Sequence, residues 1–173
     1  MRIFIIGQHE SGKSAAALYL AQALLCEHAE TGRVVIGELA KFYAAGSRNG
    51  DAVETWRRMI GVAKREFRDE LIAIGDLMTR LSPTCLIDEC CKRASIVVGV
   101  RRRCEIMSFL NNGDLSNWDA LWIRIVGGKS KTADPTYELH GQPCDFEVVN
   151  DGALIDLHRK MYDVAAAIRR KAA

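Results

Sequence analysis

Residues 7 to 14 read Gly7-Gln8-His9-Glu10-Ser11-Gly12-Lys13-Ser14 and match G-x-x-x-x-G-K-[ST] at every fixed position. The pattern only works at one place in a fold, where a strand ends and a helix begins. Both neighbours are present. Arg2-Ile3-Phe4-Ile5-Ile6 is a short apolar, β-branched run, and Ala15 to Cys26 is dominated by Ala and Leu, the composition of a buried helix. Gly7 and Gly12 let the backbone bend close to phosphate oxygens, so that successive N–H groups, through Glu10 and Ser11, line a cradle at the positive end of the helix. Lys13 then brings a full charge to the β- and γ-phosphates, and the Ser14 hydroxyl is placed to ligate Mg²⁺. The expected ligand is ATP with Mg²⁺.

The rest of the composition narrows the class. A chain of 173 residues with 49% hydrophobic and 27% charged residues is of the size and balance of one globular domain. Twenty-four basic against 22 acidic residues leave +2, which gives no reason to expect nucleic acid or a membrane as partner. No apolar stretch approaches the roughly 18 residues of a membrane span, and the apolar N-terminal run is consumed as a strand. Cys26, Cys85, Cys90, Cys91, Cys104 and Cys144 form no C-x-x-C pair. They read as reduced thiols of a cytoplasmic protein rather than a zinc site.

Strand and helix signals alternate, which predicts an α/β chain with a parallel sheet. Arg33 to Leu39 reads as the second strand. Val53 to Leu81 carries one apolar stripe at helical spacing, with Gly61 and Gly75 allowing a division into two helices. Ser95 to Val100, Asp119 to Val126 and Cys144 to Val149 complete the strands. Arg101 to Leu110 is a short helix, and Gly127 to Gln142 a polar loop. The final helix follows Asn150-Asp151-Gly152, with Leu154, Leu157, Met161, Val164 and Ile168 as its apolar face.

Four stretches in this order resemble the bacteriophage-type deoxynucleoside monophosphate kinases, a P-loop group similar also to phosphomevalonate kinase. They are the P-loop; Lys64-Arg65-Glu66-Phe67-Arg68 through Gly75-Asp76; Val97-Val98-Gly99-Val100-Arg101-Arg102-Arg103-Cys104-Glu105; and Cys144-Asp145-Phe146-Glu147-Val148-Val149-Asn150-Asp151-Gly152-Ala153-Leu154. The resemblance implies a single three-layer P-loop domain over 1–173, with about five parallel strands and helices on both faces. It implies an acceptor-binding helical region at about 40–82 and a lid-like loop at about 127–142. It also implies transfer of a phosphoryl group from ATP to a nucleoside monophosphate in a cytoplasm, the host's if the chain is phage-encoded. Oligomeric state stays open between monomer and homodimer.

Such a reaction needs a second anion site and cations around the transferring group. Arg65 and Arg68, three apart, share a helix face and offer bidentate grips for an acceptor phosphate, or else a solvated face pairing with nearby acids. Arg101 and Arg102 follow a strand at the edge that carries the P-loop, where ligands of open α/β sheets bind; the alternative is a basic turn pairing with Glu105. Glu38 and Lys41 are placed near the acceptor by position. Lys129 and Lys131, on the loop, are placed to close over ATP, with Arg124 on the preceding strand as the cation of a lid that lacks arginine; a plain surface loop is the alternative. Gly99 stands where many relatives carry a Mg²⁺-supporting Asp.

Two other functions remain open. Leu86-Ile87-Asp88-Glu89 resembles a Walker B strand, with Asp88 supporting Mg²⁺ and Glu89 orienting water, which would make an ATPase. Gly99 would also suit a nucleotide-binding protein without catalysis.

Overall fold

The first strand, β1 (Arg2–Ile6), is built as its sequence demands: five residues, four of them fully enclosed. The computed structural model describes residues 1–48, 50–106, 120–128 and 137–172. The elements after β1 are α1 (Lys13–Leu24), β2 (His28–Glu30), α2 (Thr31–Ala44), α3 (Ala52–Val62), α4 (Arg68–Leu81) and α5 (Cys85–Cys91). Then come β3 (Ile96–Val98), β4 (Ala120–Gly127), β5 (Phe146–Asn150) and α6 (Leu154–Ala172). Residues 103–106 are helical.

The five strands form one sheet in the order β2-β3-β1-β4-β5, and each pairing is parallel. The register sets Ile5 beside Val98 on one side and Ile123 on the other. Alternation then divides the core. Ile3, Ile5, Ile96, Val98, Ile123 and Ile125 face α1 and α6. Phe4, Ile6 and Val97 face the opposite layer, where α5 contributes Ile87 and Cys90, and Trp122 stacks on Phe4 with ring centroids 4.6 Å apart. This is a three-layer α/β fold of the P-loop type, with the glycine loop leaving its central strand. A smaller cluster joins α2 to α3, with Ile36, Leu39 and Ala40 closing on Ile60 and ringed by Tyr43, Trp56, Phe67 and Leu71. No described helix is long and apolar enough to cross a membrane.

Several local expectations are corrected. Arg33 to Leu39 is helix, not strand. Val35, Ile36, Leu39 and Ala40 are buried at helical spacing on α2, a periodicity that the run Val34-Val35-Ile36 disguises. The true second strand has three residues, too few to show a period. The 53–81 stripe divides at a turn over residues 63–67, close to Gly61, whereas Gly75 is accommodated inside α4. Leu86 to Glu89 lies in α5, where Leu86, Ile87 and Cys90 form the inward face, so these residues form a helix and not a Walker B strand. Leu154 is 61% exposed and leaves the apolar face of α6 to Leu157, Met161, Val164 and Ile168.

Candidate active site

Because every strand points the same way, their carboxyl ends share one edge of the sheet, where ligands of such folds bind. The P-loop, Glu30, Gly99, Gly127 and Asn150 all emerge there. Gly12, at φ +94°, caps α1 with no side-chain hydrogen bond to its first turn, so that turn presents backbone donors and the positive end of the dipole. Lys13 Nζ donates to the Gln8 carbonyl across the loop, which holds the ammonium against the loop. This donor set suits phosphate.

A cleft of about 920 Å³ opens beside the loop. His9, Glu10, Lys13 and Ser14 form one wall; Glu30, Thr31 and Val35 form a second; the α3–α4 turn and α4 form a third, from Val62 to Thr79; residues 98–105 close it. Six basic side chains line it, Lys13, Lys64, Arg65, Arg68, Arg101 and Arg102, among five acidic ones, Glu10, Glu30, Glu66, Asp76 and Glu105. Arg65 and Arg68 do not share a helix face as expected: Arg65 sits in the turn and Arg68 opens α4. Both nonetheless face the cleft. Arg65 lies 3.3 Å from Glu10 of the P-loop. Arg58 pairs with Glu54 at 3.3 Å, outside the cleft.

Arg101 and Arg102 stand beyond β3 as expected. Glu105, 3% exposed, accepts hydrogen bonds from both their backbone N–H groups at 2.9 and 3.1 Å. Burial pushes its carboxyl above the usual range, with those N–H bonds pulling the other way. The Arg102 guanidinium bonds Asp76 and, at 2.8 Å, Thr79 on α4. One arginine thus ties β3's exit to the helical wall of the cleft.

Gly99 has a backbone reason. Its φ is +95°, and a Cβ there would stand 2.7 Å from Thr31 Oγ1, which itself donates to the Gly99 carbonyl at 3.0 Å. An Asp would meet both the left-handed backbone and the hydroxyl. A side chain at position 99 would therefore require Thr31 to shift. Among the described residues no group of three or more His, Cys, Asp or Glu is placed to hold a metal ion. Mg²⁺ commonly takes one or two protein oxygens and fills its sphere with water and phosphate; Ser14 and Glu30 are oxygen-bearing residues of the cleft wall.

Other expected residues lie elsewhere. Glu38 and Lys41 are on α2 and bond each other at 2.6 Å, away from the cleft. Asp88 accepts from Thr84 at 2.7 Å, and Glu89 is held by Lys92 and Arg93, whose hydrogen bonds lower its pKa; neither acid reaches the cleft. Arg124 lines a separate cavity of about 340 Å³ with Gly7, Tyr137 and His140. There it is pinned to Glu147 at 3.4 Å and to the Leu139 and Gln142 carbonyls, so it positions the chain before β5 and does not face the cleft. Tyr137 and Leu139 are core residues, which makes that end of the expected lid a packed segment. Lys129 and Lys131 lie outside the described residues. Burial raises the pKa of Cys90 to about 12 and lifts that of Cys91, as inert structural thiols should behave.

Lys64, Thr31, Asp76, Thr79, Glu105 and Asn150 also line or brace the site, and no sequence pattern of their own singles them out. Lys64, Asp76, Glu105 and Asn150 stand inside the quoted stretches, where adjacency to the arginines or to a strand end was the available signal. Thr31 gave none, because its role depends on pairing β2 with β3. No protein-family model matches this chain, and no curated protein matches it.

Proposed function

We propose that the protein transfers the γ-phosphoryl group of ATP to a nucleoside or deoxynucleoside monophosphate, giving the diphosphate and ADP. The observation that carries this reading is a second cationic wall, Lys64, Arg65, Arg68, Arg101 and Arg102, facing the P-loop across one continuous cleft. A hydrolase needs one anion site; a cleft with cations on both sides suits two phosphorylated substrates. An acceptor phosphate oxygen would attack the γ-phosphorus as the bond to the β–γ bridging oxygen breaks, and ADP would leave with that oxygen. Lys13 and the P-loop N–H groups hold the donor, Arg65 and Arg68 orient the acceptor phosphate, and Arg101 and Arg102 offset the charge that accumulates between them. Mg²⁺, bound through Ser14 and phosphate oxygens, would neutralise the β- and γ-phosphates. The apolar stretch from Val35 to Leu71, Ile72 and Leu86 offers the acceptor's base a surface to pack on.

The test is ADP release from Mg-ATP by the purified chain, with and without each ribo- and deoxynucleoside monophosphate. Release that requires one acceptor is the expected result. Release without any acceptor would replace this reading by ATP hydrolysis, and no turnover with retained ATP binding would replace it by nucleotide binding alone. Lys13→Ala is expected to lower turnover by about 100-fold or more; wild-type turnover in that variant would remove the P-loop from the mechanism.

A further inference from the structure

A phosphate cradle works only while its carbonyls point outward, because each inward carbonyl replaces a donor with a repelling oxygen. In this loop the vulnerable peptide is Ser11–Gly12. Gly12 sits at φ +94°, and glycine imposes little barrier to turning that peptide over. One side chain opposes the turn. Asn150, the last residue of β5, approaches the Ser11 carbonyl oxygen at 2.9 Å through its side-chain amide. The partner is a carbonyl, so the contacting atom must be the donating nitrogen.

Asn150 is itself fixed. Its carbonyl accepts the Gly128 N–H at 2.9 Å, and a Cβ on Gly128 would stand 2.7 Å from Ser11 Cα. The β4 exit therefore lies close against the adjoining Glu10–Ser11 peptide of the loop. Lys160 of α6 bonds the neighbouring Val149 carbonyl at 2.6 Å and the Asp151 carboxylate at 3.0 Å, keeping the end of β5 in place.

We infer that Asn150 is the positioning residue of the triphosphate site: its amide holds the Ser11 carbonyl out of the cradle and so keeps the P-loop N–H groups turned inward. This role rests on the reading of the P-loop as the triphosphate site. Asn150 touches no phosphate. It acts through a backbone peptide, and its loss is felt as weaker phosphate binding.

The test is titration calorimetry of the full chain with ATP and with pyrophosphate. Wild type is expected to bind both. Asn150→Asp places an acceptor-only carboxylate against the Ser11 carbonyl and is expected to weaken both ligands by about tenfold or more at pH 8. As pH falls and the new carboxyl takes a proton, it regains a donor, and the affinity gap to wild type should narrow. Asn150→Ala should show the weakening without the pH-dependent narrowing, and it carries the test if the Asp variant does not fold. A merely structural Asn150 would lower the melting temperature of both variants while leaving no pH-dependent recovery of affinity. Wild-type affinity for pyrophosphate in folded Asn150→Ala would overturn the inference. No binding by the wild-type chain would instead overturn the triphosphate reading, and the positioning role with it.

Discussion

At the scale of single residues, the site depends on buried polar groups that touch backbone. Glu105 is the clearest. One of its oxygens satisfies two N–H groups at the exit of β3, and leaving such donors unpaired costs about 1–3 kcal/mol. Burial raises its pKa in the folded chain, so the folded state keeps its proton at a pH where the unfolded state has lost it. Stability from this group is therefore highest at or below the ordinary carboxylate range, and it declines as pH rises from there through the raised folded value. Glu105→Gln keeps an oxygen for the two N–H groups and removes the titration. Melting temperatures across pH should show wild type losing ground to the Gln variant as pH rises through that window. A constant difference at every pH would remove the linkage.

At the scale of elements, the α3–α4 turn is what brings a second group of cations to the P-loop's cleft. The turn carries Lys64 and Arg65, and α4 starts with Arg68, so the cations cluster at a helix start facing Glu10. Charge-assisted hydrogen bonds contribute about 1.5–3 kcal/mol each. Arg68→Ala should accordingly raise KM for the acceptor by about tenfold to 100-fold, with KM for ATP within about twofold, in steady-state kinetics that vary each substrate in turn. An equal rise in both constants would place Arg68 outside the acceptor site. This scale also shows what the sequence conceals. The P-loop, the arginines after β3 and the α6 stripe were legible because each is a local pattern. Arg33 to Leu39 was not, since three adjacent β-branched residues suit a strand as well as a helix, and burial against Ile60 decided it. Leu86 to Glu89 misled in the same way: four residues matched a motif whose surroundings form a helix.

For the whole molecule, the near-neutral charge of +2 is echoed in the cleft. Its six basic side chains stand among five acidic ones, Glu10, Glu30, Glu66, Asp76 and Glu105, so attraction for an anion is short-ranged and exerted by individual cations rather than by a broad field. Association with a nucleoside monophosphate should therefore slow only modestly, by less than about tenfold, as ionic strength rises from about 0.01 to 0.15 M, where the screening length shrinks from about 30 to 8 Å. Stopped-flow measurement over that range checks this, and a steeper fall would show a long-range field that this mixed lining does not supply. Which contacts assemble the site was the least legible aspect, because they join parts of the chain that no local window spans. Thr31 meets Gly99, Arg102 meets Asp76, and Asn150 meets Ser11 across 139 positions. The glycine loop after the central strand is thus braced by the last residue of an edge strand, and contacts of such separation form late in folding because loop closure must precede them. On the proposed function, nucleotide binding would switch on only when β5 docks, so a partly folded chain would not sequester ATP before its sheet is whole.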